Sequence, residues 1–144
     1  MLNVTDRHNT NFICFRNEHK SLIFSATGDR NSEVLLNPLI DIDFKNIYFV
    51  IPTAYKRTHK HNDNYSVVEH KDLLARCHRN AETWENIKKG TNSTKITILE
   101  SVSEALISIK SQNKNINRTS VLVTGSLHLV GATLSIIDPN LSST

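Results

Sequence analysis

The sequence predicts a three-layer α/β domain built on a mainly parallel sheet. Two observations lead there. From Leu22 to Ile137, short apolar runs alternate with stretches whose apolar residues recur at helical spacing. The first, second and fourth of these runs are almost continuously apolar, as expected of strands buried on both faces. Strands alternating with helices imply a parallel sheet covered on both sides, which is a Rossmann-like arrangement.

The elements follow in order. Residues 1–20 show no clean period and read as a poorly defined lead-in, polar apart from Phe12-Ile13-Cys14-Phe15. Residues 21–144 form the domain. Leu22-Ile23-Phe24-Ser25-Ala26 reads as a strand, closed by the turn Thr27-Gly28-Asp29. Asn31 to Ile40 carries Val34, Leu35, Leu36 and Leu39 at helical spacing, with Asn31 or Ser32 as N-cap. Asn46 to Ile51 is the second strand, stopped by Pro52. A polar stretch without periodicity follows. Val67 to Lys89 reads as a long helix, with Val68, Leu73, Leu74, Cys77, Ala81, Trp84 and Ile87 as its apolar stripe. Lys88, Lys89 and Gly90 are its stop signals. Lys95–Leu99 is the third strand. Ser101–Ser111 is a helix opened by a capping box between Ser101 and Glu104. Thr119–Thr124 is the fourth strand, and Gly125-Ser126 opens the last helix, which runs to about Ile137.

Composition narrows the function classes. The length of 144 residues fits one domain with a real core. The net charge of +3 is too small to argue for nucleic acid, and the local excess in Lys56, Arg57, His59, Lys60 and His61 reads as a solvated loop. Cys14 and Cys77 have no metal-ligand spacing and suggest no disulfide framework, so a reducing compartment is expected. No apolar leader precedes Arg7, and no run approaches the roughly 20 residues of a membrane span. The expected location is cytoplasmic. The Asn-x-Ser/Thr triplets at Asn64 and Asn92 are noise in an Asn-rich chain.

Chemistry is expected at two strand-to-helix turns, because open parallel sheets bind ligands outside the carboxyl ends of their strands. The turns are Ala26-Thr27-Gly28-Asp29-Arg30-Asn31 and Val123-Thr124-Gly125-Ser126-Leu127-His128. Glycine permits a tight turn and close backbone approach. A helix N-terminus offers free N–H groups to a carboxylate or phosphate. Arg30 adds a planar fork for either anion. The candidate residues are Asp29, Arg30, Thr124, Gly125, Ser126 and His128. Each also has a structural reading: Ser126 as a plain N-cap, His128 as a packed or solvent-bridged side chain, Asp29 as a complement to a helix dipole. Trp84 reads as core. No Gly-x-x-x-x-Gly-Lys-[Ser/Thr] loop, complete Gly-x-Gly-x-x-Gly or persuasive catalytic triad occurs.

Val121-Leu122-Val123-Thr124-Gly125-Ser126-Leu127-His128-Leu129-Val130-Gly131 closely resembles the C-terminal signature of folylpolyglutamate synthases, within the Mur ligase superfamily. Leu22 to Arg30 resembles the other signature of the same domain, in the same order. Lys71–Cys77, Trp84 and Ser101–Leu106 are similar to the eukaryotic form. The resemblance spans residues 21–141. It departs at Asn31, where the family has an acidic residue, and at Ala132, where a second glycine is common.

The resemblance implies a Mur ligase C-terminal-type domain of a tetrahydrofolate-specific, ATP-dependent acid–amino-acid ligase of one-carbon metabolism. In that scheme a separate N-terminal ATPase domain binds ATP and Mg2+ and phosphorylates the folate carboxylate. The amine of L-glutamate then attacks the acyl phosphate, which extends the polyglutamate chain. The C-terminal domain closes over the cleft and helps hold the glutamate, excluding water from the intermediate. The P-loop and the linker motif rich in Asp, Gly and His are absent from this sequence. The chain is therefore expected to be a fragment, an alternative product or a relic. It should carry no catalytic or metal-binding residue of its own, bind no cofactor alone, and be inactive without the ATPase domain. For the full-length enzyme a mitochondrial pool is also open. The alternative from another class is a non-catalytic, stand-alone binding or regulatory domain. A P-loop encoded upstream of Met1 would separate the two. A nucleic-acid module rests only on the short basic loop.

Overall fold

The computed structural model describes residues 18–56, 67–90, 93–112 and 118–140. Strands β1 (Glu18–Ser25), β2 (Asn46–Val50), β3 (Lys95–Leu99) and β4 (Arg118–Gly125) alternate with helices α1 (Ser32–Leu36), α2 (Val67–Ile87), α3 (Val102–Gln112) and α4 (Leu127–Ile137). All strand pairs are parallel, in the order β3-β2-β1-β4. The fold is α/β, with helices on both sides of the sheet.

The two faces follow from strand alternation. Leu22, Phe24, Ile47, Phe49 and Ile51 point to one side, where they meet Leu36 of α1 and Cys77, Ala81 and Trp84 of α2. Ile23, Tyr48 and Val50 point to the other, against Val102, Ala105 and Ile109 of α3 and Leu129 of α4. The largest buried side chain is Trp84, edge-on to Phe44 at 6.2 Å between ring centroids. Its indole Nε1 has no hydrogen-bond partner among the described residues. Burial pushes the Cys77 thiol up to about 11.

Several boundaries differ from the sequence reading, each for a physical reason. β1 begins at Glu18 rather than Leu22, because ladder pairing depends on the backbone: Glu18, His19 and Lys20 pair with Arg118, Thr119 and Ser120. The helix expected over Asn31–Ile40 is α only to Leu36 and then tightens to a 3₁₀ turn, Asn37–Leu39. Pro38 lacks an N–H and crowds the preceding turn. The long helix ends at Ile87, and the Lys88 ammonium turns back to the Ile40 carbonyl and lies over the Trp84 ring. Gly90 follows at φ +124°, as a stop signal should. β4 was expected to be buried on both faces. It is only half-buried, because among the described residues it is an edge strand with β1 as its one neighbour. Phe12–Phe15, the basic residues from Arg57 to His61, Asn64 and Asn92 lie outside the described residues. Among the described residues, no helix is long and apolar enough to cross a membrane.

Candidate functional site

The strand order reverses direction at the β1–β4 pair. β2 and β3 lie to one side of β1, while β4, reached last, lies to the other. In open α/β sheets such a switch point leaves a crevice beyond the carboxyl ends of its two strands. Ser25 pairs with Gly125 at the last rung, so the turns Ala26–Asn31 and Val123–His128 emerge side by side.

Gly125 makes this closeness possible. It sits at φ +119°, and a Cβ there would overlap the Ser25 carbonyl oxygen, with the Phe24 ring 3.2 Å away. Gly28 also has positive φ, +67°, but open space around it. Its glycine is a matter of conformation alone. Arg30 spans the gap: its Nη1 donates to the Gly125 carbonyl at 2.9 Å. One donor of the guanidinium is thus tethered to the opposite turn, and the rest of the fork stays exposed. Asp29 and His128 are exposed as well, and Thr124 is half-buried.

The helix ends at this side of the sheet are not equivalent. At α3, the Val102 and Ser103 N–H groups donate to the Thr53 and Ala54 carbonyls at 2.9 and 3.0 Å. The Glu104 N–H donates to Ser101 Oγ, and the Glu104 carboxylate accepts from Ser101 Oγ and the Glu100 N–H, a variant of the expected capping box. That end is closed. α1 is only five residues long, with Asn31 as its N-cap. At α4, Ser126 is buried and its Oγ accepts from the Leu129 N–H at 3.1 Å. The Leu127 and His128 N–H groups have no partner among the described residues. Of these three ends, the α4 N-terminus, beside Arg30, is the open one among the described residues.

The six expected residues thus lie on, or directly after, the two turns that leave the adjacent ends of β1 and β4, and Arg30 and Gly125 are joined directly. Ser126 stands apart in role, since its hydroxyl is committed to capping. The arrangement supplies a fixed guanidinium, unpaired N–H groups at a helix end, and a single carboxylate, Asp29. One carboxylate and no phosphate-wrapping loop do not fit Mg2+ with a triphosphate, and no metal-holding group of His, Cys, Asp or Glu occurs among the described residues.

A polar cluster missed by sequence reading joins the ends of β2 and β3. Lys56 Nζ lies 3.1 Å from Glu100 Oε2, and His70 Nε2 lies 3.5 Å from Glu100 Oε1. The Lys56 bond, with its charge and that of His70, holds the Glu100 carboxyl below its ordinary value. The same bond raises Lys56. No local motif announces the contact, which needs the strand order to form. Searches against models of known protein families, curated proteins and solved structures find no match for the chain.

Proposed function

We propose that this chain is the glutamate-side domain of an ATP-dependent ligase of the folylpolyglutamate synthase kind. The observation that supports this reading best is the pair of Thr-Gly turns at the β1–β4 switch point, bridged by Arg30. L-Glutamate brings carboxylates for the Arg30 fork and the open α4 end, and an amino group for Asp29. Gly125 keeps the two turns close enough to act on one small ligand, and Ser126 holds the helix end in place. ATP and Mg2+, which drive acyl-phosphate formation when bound, belong in this reading to a partner domain carrying a P-loop. This chain's own part is to bind and orient the amino acid and to keep water from it.

The test is kinetic, in a chimera that supplies an ATPase domain. A charge-assisted hydrogen bond is worth about 1.5–3 kcal/mol. Arg30→Ala should therefore raise the KM for glutamate about ten- to a hundredfold, with the KM for ATP little changed. A rise for ATP alone would make Arg30 a nucleotide contact. If neither constant moves, the turns are structural. The 144-residue chain alone should neither hydrolyse ATP nor ligate glutamate; robust ligation by it would refute the division of labour.

A further inference from the structure

The buried line of α2 is Cys77, Asn80, Ala81 and Trp84, which fall on one side of the helix. Cys77, Ala81 and Trp84 pack in the core. Asn80 interrupts that apolar line with an amide, and it is only 2% exposed. A buried amide costs stability unless its polar atoms are paired. The partner of Asn80 lies across the fold: its Oδ1 accepts from the Ser32 hydroxyl at 2.5 Å, 48 positions away in the chain.

Ser32 is the first residue of α1, and Arg30 stands two positions before it. A helix of five residues cannot hold itself by its own hydrogen bonds, so contacts with the rest of the fold place it. Leu36 supplies one at the C-terminal end, buried among the core residues of α2. Ser32 supplies another at the N-terminal end, through Asn80. Between Arg30 and Ser32, the Asn31 side chain accepts from the Glu33 N–H and so ties the turn to the same helix. On its other side, Arg30 donates to the Gly125 carbonyl. The segment is thus strung between α2 and β4 by two bonds that share no residue.

We infer that Asn80 is a positioning residue for Arg30. By holding Ser32 it fixes the point from which the guanidinium reaches across to the β4 turn. An apolar residue at position 80 would complete the stripe and leave the fork on a loose stem. What the fork holds rests on the ligase reading above; the link from Asn80 to Arg30 does not.

A double-mutant cycle on the whole chain tests the link, by urea unfolding followed by circular dichroism. Ser32→Ala with Asn80→Leu removes both partners and leaves no unpaired group, so the folded state should persist. Arg30→Ala should lower the folding equilibrium constant about threefold or more in the wild type. In the Ser32→Ala/Asn80→Leu background it should lower it by less than about twofold, because residues that act through one another are not additive. Equal losses in the two backgrounds overturn the inference, since Asn80 then only packs α1 on α2. An Arg30→Ala that costs nothing in the wild type also overturns it, since no fork is then held. In the chimera with an ATPase domain, the paired substitution should raise the KM for glutamate about threefold or more, with kcat and the KM for ATP little changed. A rise with Arg30→Ala but not with the pair overturns the inference and leaves the ligase reading standing. Coupling in urea with no rise from either overturns the ligase reading and leaves Asn80 in its role.

Discussion

Replacing Gly125 with alanine asks whether β1 and β4 really meet as closely as the crevice requires. The new methyl would overlap the Ser25 carbonyl oxygen and stand 3.0 Å from its carbonyl carbon and 3.2 Å from the Phe24 ring. These neighbours are a paired strand backbone and a fully buried ring, so neither can swing aside. The left-handed φ of +119° adds a strain of about 1–3 kcal/mol for a residue with a Cβ. Forcing a methyl into a packed site costs about 1–3 kcal/mol more. The expected loss is roughly 2–6 kcal/mol, against about 5–15 kcal/mol for a typical domain. Gly28→Ala is the matched control. It meets positive φ but open space, so only the conformational cost of about 1–2 kcal/mol applies. Urea unfolding followed by Trp84 fluorescence measures both, since Trp84 is the sole tryptophan and is buried. If Gly125→Ala cost no more than Gly28→Ala, the close approach of the two turns, and the crevice argument with it, would fail.

Ser126→Ala should cost about 1 kcal/mol in the same assay, and Ser126→Gly a few tenths, as for a working N-cap. Glu100→Gln should destabilise the protein near neutrality, because the folded state favours the carboxylate. That contribution is present above the ordinary carboxylate range and is lost as pH falls through the lowered folded value. The urea midpoints of mutant and wild type should therefore converge in acid, and a gap that persists there would refute the pairing. Cys77, raised from 9.0 to about 11 by burial, stays protonated in the folded state at neutral pH. A thiol reagent read by mass spectrometry should label it only as fast as the protein unfolds, and its share of stability should decline as pH climbs from about 9 to about 11.

The layered architecture was legible because burial on both faces writes itself into sequence. Ile47-Tyr48-Phe49-Val50 admits no polar residue, and all four are buried. Helix α2 was legible through its stripe, with Cys77, Ala81 and Trp84 where the period put them. The adjacency of β1 and β4 follows from no local pattern and shows only in the ladder. Less was legible where backbone pairing overrides side-chain character, as at Glu18–Lys20, or where one proline changes the helix type, as at Pro38. The site residues were found through turn chemistry, but their unequal commitments were not. Ser126 and His128 stand two positions apart in the chain, yet one is buried at a cap and the other exposed. The Lys56–Glu100–His70 cluster had no signal, since its members come from three separate segments.

The Arg30 tether to Gly125 joins residues 95 positions apart, and that separation has a kinetic consequence. β2 and β3 can add to β1 as the polypeptide emerges, but the far side of β1 waits for a strand made last. Until Arg118–Gly125 is synthesised, one margin of the most buried strand has no ladder partner among the described elements. Distant pairings of this kind close slowly because the connecting chain must first give up its freedom. A ribosome-bound intermediate would thus hold most of its core and none of its crevice. During that interval, the exposed margin of β1 is the place where the nascent protein is most open to capture by a chaperone or to misassociation with another strand.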